Sequence, residues 1–188
     1  MRNRGSYIIF LEIIKKKLGV LLMMKITISG KPGSGKSTVS KKLASVLDYE
    51  HFSTGDFMRS LADERNVSLI ELSKIAEKDD SVDALLDKRQ KEFGKEKDDF
   101  VLDARLGFYF IPDSKKVYLD VSDEEALKRV HGRDETSKED FYARLDSERK
   151  RYKELYGLNY EDYSHYDIVV KTDTLTPEEI VDLILKML

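Results

Sequence analysis

The sequence predicts an α/β fold of three layers, in which helices cover both faces of a five-stranded parallel sheet. Short apolar runs alternate along the chain with longer amphipathic segments, which is the order typical of parallel sheets. A glycine-rich turn joins the first apolar run to the first helical segment. The 188 residues contain no linker rich in Pro, Gly and Ser, so we expect residues 24–188 to form one domain.

Five segments have the alternating or continuous apolar pattern of strands. They are Lys25–Ser29, Tyr49–Phe52, Phe100–Asp103, Lys116–Leu119 and Asp167–Lys171. After the first strand, Val39, Leu43 and Val46 recur at helical spacing and predict an amphipathic helix. Capping-box sequences at 68–71 and 122–125, and a Thr-Pro pair at 176–177, predict further helix starts.

Two regions depart from simple alternation. Residues 56–93 read as a long, mainly helical insertion, and residues 131–158 are dense in arginine and tyrosine; an acceptor-binding insertion and a lid would lie in these places. In residues 1–23, Glu12 and Lys15–Lys17 interrupt the apolar pattern, which argues against a membrane span. We expect this extension to be dispensable, with a membrane- or partner-docking helix as the alternative.

Composition excludes several classes of function. The 33 basic and 36 acidic residues give a net charge of −3, whereas a general nucleic-acid binder is usually basic. The absence of cysteine excludes disulfides, zinc–thiolate sites and thiol catalysis. His51, His131 and His165 are too far apart for a recognisable metal-ligand set. We expect a cytoplasmic monomer that binds neither nucleic acid nor a membrane.

The most informative motif is a phosphate-binding loop at residues 30–38. It has glycine, four free positions, then Gly-Lys-Ser, and it lies between a strand and a helix as the motif requires. The glycines let backbone N–H groups converge on phosphate oxygens, and the helix start adds its positive dipole. We expect the whole loop to bind a nucleotide triphosphate: Gly30, Lys31, Pro32, Gly33, Ser34, Gly35, Lys36, Ser37 and Thr38. In such loops the lysine contacts the β- and γ-phosphates, and the serine hydroxyl contacts Mg²⁺.

The segment after the second predicted strand is a candidate for a second phosphate-bearing ligand. Ser53, Thr54 and Gly55 offer hydroxyls and a helix start, and Arg59 follows on the helix. An arginine there could bind phosphate in a bidentate way. The alternative is an ordinary N-cap followed by a surface arginine, since caps use the same residue types.

Asp103 and Arg105 follow the third predicted strand. A carboxylate after an apolar strand suits a Mg²⁺-organising role, often through water, and Arg105 would then reach an acceptor phosphate. The alternative is a salt bridge at the strand end.

An arginine cluster occupies the second unusual region. Arg129 and Arg133 flank Gly132, which we expect to break a helix, while Arg144, Arg149 and Arg151 follow on a helix headed by Ser137. Such charge-rich helices are usually solvated. The functional interpretation is that these arginines close over a phosphate during its transfer. The tyrosines between 152 and 166 could stack on RNA, but packing against the core is favoured.

These residues together resemble the nucleoside monophosphate kinases, and in particular the archaeal-type cytidylate kinases. The resemblance runs from about Met24 to the C-terminus. It rests on the loop at 28–38, Ser-Thr-Gly-Asp-Phe-Met-Arg at 53–59, Val-Leu-Asp-Ala-Arg-Leu at 101–106, Arg-Lys-Arg-Tyr-Lys-Glu-Leu-Tyr-Gly at 149–157 and Tyr-Asp-Ile-Val at 166–169. The arginine–tyrosine run is the most specific of these.

The resemblance implies a Mg²⁺-dependent transfer of the ATP γ-phosphoryl group to CMP or dCMP. It assigns catalytic roles to Lys36, Arg133, Arg144 and Arg151, with Arg133 as a lid residue. It further implies that Arg129 stacks on adenine, and that the acceptor is held by Ser53, Thr54, Gly55, Arg59, Asp103, Arg105 and Arg151.

The sequence also departs from the family. Asp103–Ala104 stands where Glu-Gly is more usual, Lys31–Pro32 stiffens the phosphate loop, and the lid is short. The alternatives are a kinase for another acceptor (AMP, UMP, dephospho-coenzyme A or a small metabolite) and a nucleotide-binding regulatory or RNA-associated protein without turnover.

Overall fold

A computed structural model describes residues 24–67, 71–72, 75, 81–134 and 137–188, without the side chains at 133, 134 and 144. The strands are β1 Lys25–Ser29, β2 Glu50–Ser53, β3 Phe100–Asp103, β4 Lys115–Asp120 and β5 Ile168–Lys171. The helices are α1 Lys36–Leu47, α2 Thr54–Glu64, α3 Ser81–Glu96, α4 Gly107–Phe110, α5 Asp123–Asp134, α6 Lys138–Tyr156 and α7 Pro177–Met187, with a 3₁₀ turn at Tyr163–His165.

The five strands form one parallel sheet in the order β2-β3-β1-β4-β5. β1 lies between β3 and β4, so the chain leaves its carboxyl end at the point where the strand order reverses. Open α/β sheets bind ligands at this position, because the loops on either side diverge and leave a crevice. The five-stranded parallel sheet expected from the sequence is confirmed.

Alternate strand residues face opposite layers of helices. On one face Ile28, Val101 and Leu119 pack with residues of α1 and α7 such as Leu43 and Ile184. The other face carries an aromatic cluster under α3, α4 and the end of α6, formed by Phe100, Leu102, Phe108, Phe110, Tyr118 and Tyr160. The resulting helix–sheet–helix sandwich is the predicted three-layer architecture.

Tyrosines 152, 156, 160 and 166 belong to this aromatic cluster or pack against it, so packing, the favoured interpretation, is what the structure shows for them. Tyr163, in contrast, is 47% exposed, although its ring lies 5.7 Å from that of Tyr118.

Several local expectations need correction. Val46 is exposed, because the buried face of α1 runs through Val39, Ser40, Leu43 and Ala44 instead. Gly132 does not break its helix: α5 continues to Asp134, and an added Cβ at Gly132 would meet nothing within 4 Å. The predicted capping box at 122–125 is half formed, since Glu125 N–H donates to Ser122 Oγ while Ser122 N–H donates to Asp173.

Other helix starts follow the sequence. The Thr176 hydroxyl and the Glu179 carboxylate make a reciprocal capping box with proline at the first position of α7. The Ser137 hydroxyl accepts from Asp140 N–H at the start of α6. Residues 68–70 of the predicted cap at 68–71 and the extension at 1–23 lie outside the described residues. Among the residues that are described, none lies in a helix with the length and apolar character needed to cross a membrane.

Candidate active site

The phosphate loop follows β1 and has the backbone that its glycines predict. Gly30, Gly33 and Gly35 have φ values of 146°, 80° and 89°, a region that residues with a Cβ rarely adopt. α1 begins at Lys36 with Gly35 as its N-cap residue. The Lys36 ammonium donates to the carbonyls of Gly30 and Lys31, at 2.7 and 3.0 Å. The lysine is thereby held across its own loop, where a phosphate chain would lie.

The outer part of the loop is docked on α5. The Lys31 ammonium lies 2.5 Å from a carboxylate oxygen of Asp123, and a Cβ on Gly33 would come 2.5 Å from the carbonyl oxygen of Ala126. Glycine at position 33 therefore serves two purposes: it adopts the positive φ, and it allows the helix backbone to approach closely. The ion pair also compensates the charge of Lys31 within the loop.

Arg129 brings three elements together below the loop. Its guanidinium donates to the carbonyl of Gly33 at 3.4 Å and, after β5, to the carbonyls of Thr172 and Asp173 at 2.8 and 3.1 Å. Nε donates to the Glu125 carboxylate at 2.9 Å. Because these donors lie in the guanidinium plane, the flat faces of the group are left for stacking.

Ser37 and Asp103 meet at the centre of the site. Ser37 Oγ donates to Asp103 Oδ2 at 2.5 Å, and β3 lies beside β1 with Ile28 paired to Asp103. Asp103 is 7% exposed although it ends a strand. A hydroxyl and a carboxylate held together in this way are hard oxygen ligands of the kind that Mg²⁺ prefers.

The segment after β2 is built as a capping box. The Ser53 hydroxyl accepts from Asp56 N–H, and the Asp56 carboxylate accepts from Ser53 N–H. Burial raises the pKa of Asp56, but hydrogen bonds from Ser53 and Arg59 outweigh it, so the pKa lies below its usual range. Arg59 pairs with Asp56 and is 58% exposed. The structure therefore shows the N-cap with an exposed arginine beside it, and a phosphate-binding role for this segment stays a prediction.

Arg105 lies directly beyond β3 and faces α6. Its Nε approaches Glu148 Oε2 to 2.9 Å, and the side chains are 21% and 11% exposed. Burial lowers the pKa of Arg105, but Glu148, Tyr152, Tyr160 and Asp103 more than offset this and raise it overall. This guanidinium stays charged despite its burial.

Arg151 connects α6 to α3. It lies 3.7 Å from the Asp83 carboxylate and over the ring of Tyr152, with 5.6 Å to the centroid. One turn further along both helices, Tyr156 Oη donates to Asp87 at 2.6 Å. Burial raises the pKa of Asp87, although the hydrogen bond from Tyr156 opposes the shift. These contacts join α3, in the insertion that the sequence predicts to bind the acceptor, to the arginine-rich helix α6.

The structure brings together most of the residues expected at the site. Contacts link the phosphate loop to Asp103 at the end of β3, and to the elements that follow β4 and β5. Ser53, Thr54 and Gly55 lie at the end of β2, which pairs with β3. Arg133 belongs to α5 and Arg144 to α6, but their side chains lie outside the described part of the chain. Their expected roles stay predictions.

The site predicted from the sequence does not include three carboxylates, Asp56, Asp83 and Glu148, each of which pairs with one of the arginines predicted to bind the acceptor. A signal existed for Glu148, because it lies four residues after Arg144 and three before Arg151, on the same face of one helix. No comparable pattern marks Asp83, because its partner belongs to a distant element.

Comparisons with known proteins agree with this geometry. Residues 25–174 match the family described as the cytidylate kinase-like family. The cytidylate kinase of Halobacterium salinarum is 38% identical over 168 residues, which is 86% of this chain and 88% of that protein. The cytidylate kinase of Natronomonas pharaonis is 40% identical over 163 residues, covering 84% and 85% of the two chains.

Solved structures of related fold include two shikimate kinases. The enzyme from Aquifex aeolicus aligns with a TM-score of 0.58 and 24% identity, covering 87% of this chain and 94% of that one. The enzyme from Bacteroides thetaiotaomicron aligns with a TM-score of 0.65 and 14% identity, covering 88% and 98%. At this level of identity the likeness shows a shared fold alone.

Proposed function

The chain belongs to the cytidylate kinase-like family, and from that premise we propose that it transfers the γ-phosphoryl group of ATP to CMP or dCMP. The products are ADP and the corresponding diphosphate. The observation that carries the proposal is the buried cation Arg105, two residues beyond Asp103. It lies at the carboxyl edge of the sheet, the same edge from which the phosphate loop extends. A module that only bound ATP would not need this second cation.

On the donor side, the loop N–H groups and Lys36 would hold the ATP phosphates. In the present arrangement Lys36 contacts two loop carbonyls, and a phosphate chain in the loop would offer it stronger, charged acceptors. Arg129 would stack on the adenine, because hydrogen bonds made in its plane fix the orientation of the guanidinium without covering its faces. Thr38, on the first turn of α1, would contribute its hydroxyl to the nucleotide phosphates.

The family implies a magnesium ion, and the residues present fit one. Ser37 and Asp103, whose hydroxyl and carboxylate lie 2.5 Å apart, would hold the ion, Asp103 through a water molecule. Bound Mg²⁺ would neutralise charge on the β- and γ-phosphate oxygens. Asp103 has a shorter side chain than the glutamate usual in the family, and this length suits its hydrogen bond with Ser37 on the first turn of α1.

On the acceptor side, Arg59, Arg105 and Arg151 would surround the monophosphate. They come from α2, the turn after β3 and α6, so they can approach one phosphate from three directions. Ser53, Thr54 and Gly55 would add hydroxyl and backbone contacts at the start of α2. Arg151 lies against Asp83, so it would turn from this carboxylate towards the phosphate.

The chemistry needs positioning and charge more than covalent help. An oxygen of the acceptor phosphate attacks the γ-phosphorus, the bond from the γ-phosphorus to the β-bridging oxygen breaks, and ADP leaves. Negative charge spreads over the transferring oxygens, and Lys36, Arg133, Arg144 and Arg151 are the proposed groups that stabilise it. Closure of the lid would exclude water, which otherwise competes as the attacking oxygen.

A kinase for another acceptor is the second candidate. The observation that favours it is Asp103–Ala104 in place of the usual Glu-Gly, because Ala104 carries a Cβ next to the acceptor arginine. Small-molecule nucleotides as partners, a monomeric state and the absence of nucleic-acid binding belong to the proposal as well. Residues 1–23 are proposed to be dispensable, with 56–93 as the acceptor insertion and 131–158 as the lid and arginine helix.

The proposal is tested by product identity. The full chain is incubated with ATP, Mg²⁺ and CMP, and the nucleotides are separated by ion-exchange chromatography. We expect CDP and ADP in equal amounts, and neither product above background without CMP. ADP without CDP would identify an ATPase, and ATP binding without any product would favour the regulatory alternative.

A further inference from the structure

The contact between Arg105 and Glu148 is unusual in its burial. Both side chains are mostly withdrawn from solvent, and they approach to 2.9 Å between Nε and Oε2. The contact joins the turn after β3 to the middle of α6, two elements far apart in the sequence. A buried ion pair gains little stability over an apolar pair of similar shape, because both charges lose their hydration. Stability alone is therefore a poor explanation for it.

The geometry of the pair leaves part of the arginine for a ligand. Glu148 makes its closest approach at Nε, and no other carboxylate forms an ion pair with Arg105 among the described residues. The Nε hydrogen does not point directly at the oxygen, so the contact is an ion pair and not an aligned hydrogen bond. A phosphate could therefore occupy the terminal nitrogens of the guanidinium while the carboxylate stays at its base.

The backbone of Arg105 is fixed as well. Ser29, the last residue of β1, directs its hydroxyl at the carbonyls of Ala104 and Arg105, at 3.1 and 3.0 Å. The arginine is thus held at its main chain by the strand that leads into the phosphate loop, and at its head by α6. Fixing both ends lowers the rotamer entropy that a long side chain loses when it binds a ligand.

We propose that Glu148 is a positioning residue for the acceptor: it orients Arg105 so that the guanidinium meets the phosphate of the nucleoside monophosphate. The inference rests on the proposed function, since it concerns the acceptor side of that reaction. Glu148 also lies on α6 three residues before Arg151, so the carboxylate orients one acceptor arginine from the helix that carries another.

This role predicts a selective defect. Loss of Glu148 frees the head of Arg105, so the acceptor binds more weakly while the donor site, built on the phosphate loop and α5, is unaffected. A residue that only stabilised the fold would change both sites together or neither. The separation of the two Michaelis constants therefore distinguishes a positioning role from a structural one.

The experiment compares Glu148→Gln and Glu148→Ala with the full wild-type chain. For Glu148→Ala we expect KM for CMP to rise about 10- to 100-fold, the range found when a residue that orients a metal ligand is removed. Glu148→Gln keeps the shape and an acceptor oxygen, so its increase is smaller. KM for ATP stays within about twofold of wild type, the range in which donor binding counts as unchanged.

Glu154→Gln is the matched control. It makes the same change of charge on the same helix, at a side chain that is 64% exposed and pairs with Lys150. Its KM values should equal those of wild type. Thermal unfolding establishes that each variant is folded, and Glu148→Gln, with the smallest change of shape, serves if Glu148→Ala does not fold. Calorimetric titration with CMP alone gives a second readout without turnover.

The outcomes separate the inference from the function it rests on. If wild type phosphorylates CMP and the Glu148 variants have an unchanged KM for CMP, the role of Glu148 is overturned and the proposed function stands. A fall in KM for CMP overturns it as well, because Glu148 would then compete with the phosphate. Wild type that prefers another monophosphate corrects the proposed acceptor, and the same comparison with that acceptor decides the role of Glu148. If wild type turns over no monophosphate, both the role of Glu148 and the proposed function are overturned.

Discussion

Ser37 Oγ donates a hydrogen bond of 2.5 Å to Asp103 Oδ2, which joins the first turn of α1 to the end of β3. The contact exists because β1 and β3 are neighbours, so the loop after one strand lies beside the end of the other. Asp103 is followed within two residues by Arg105. Asp103, a proposed metal ligand, and the proposed acceptor arginine are therefore held by one short stretch of backbone.

Asp103→Asn should change the dependence on magnesium. Asparagine can still accept the hydrogen bond from Ser37 but has no charge to organise the hydration shell of the ion. We expect kcat to fall roughly 10²-fold and the Mg²⁺ concentration for half-maximal rate to rise. The measurement is initial rate against Mg²⁺ at saturating ATP and CMP. An unchanged Mg²⁺ profile would remove Asp103 from the metal site.

Lys36→Ala should abolish most of the activity and leave the fold intact. The ammonium donates to the carbonyls of Gly30 and Lys31 and would contact phosphates in the complex, so we expect its loss to fall on the nucleotide. We expect kcat to fall by about 10²–10³, as for other groups that stabilise developing charge. Lys42→Ala is the control, since this lysine on the same helix pairs with Glu178 at 2.6 Å and should be dispensable. An active Lys36→Ala enzyme would contradict the assignment of the loop.

Gly33→Ala should damage the loop at its contact with α5. The added Cβ would come 2.5 Å from the Ala126 carbonyl oxygen, and the φ of 80° strains any residue other than glycine. We expect a destabilisation of more than about 1–2 kcal/mol, the cost of the left-handed conformation alone. Weaker ATP binding should accompany it, because the outer part of the loop must move. Thermal unfolding and a titration with ATP measure the two effects.

Gly132→Ala is the matched glycine variant, and it tests the correction to the predicted helix break. The position lies within α5, and an added Cβ meets nothing within 4 Å. We expect unchanged ATP binding and a stabilisation of about 0.4–1 kcal/mol. Clear destabilisation would mean that the helix does break there.

His51 should make the fold less stable in mild acid. Burial lowers the pKa of His51 below 6.5 and outweighs the carboxylates of Asp103 and Asp56, which raise it. The unfolded chain therefore takes up a proton that the folded chain resists, so stability is complete above pH 6.5 and falls as the pH drops towards the folded pKa.

The measurement for His51 is thermal unfolding between pH 5 and 8 for wild type and His51→Gln, in the range where histidine titrates. As the pH falls, the melting temperature of the variant should decrease less than that of wild type. His131→Gln, at an exposed position, is the control and should keep the wild-type decline. Parallel curves for wild type and His51→Gln would show that His51 does not contribute.

The fold was largely predictable because its signals are local. Strand alternation, the glycine pattern at 30–35 and the cap of α7 at Thr176 each depend on residues a few positions apart. β1 and β3 began and ended as expected, and the other strands shifted by one residue at one or both ends. Val46 and Gly132 were misassigned because periodicity does not show where a helix faces, and an exposed helical glycine costs too little to end a helix.

The site was predictable in its residue types but not in its pairings. Lys36, Ser37 and Asp103 follow from motif and strand order, and their approach required only that β1 and β3 be adjacent. The pairs Arg105–Glu148 and Arg151–Asp83 depend on how α6 packs against the sheet and α3. The spacing on α6 marks Glu148 as a neighbour of Arg144 and Arg151, but no local signal encodes the packing that brings it to Arg105.

The acceptor profile is the decisive measurement for the proposed cytidylate kinase activity. ADP release is measured in a coupled assay with ATP, Mg²⁺ and, in turn, CMP, dCMP, UMP, AMP, GMP or no acceptor. We expect kcat/KM to be highest for CMP and dCMP, with no ADP release above background when the acceptor is omitted. A higher kcat/KM for AMP, GMP or UMP would contradict the assigned acceptor, and release independent of any monophosphate would contradict the phosphoryl transfer itself.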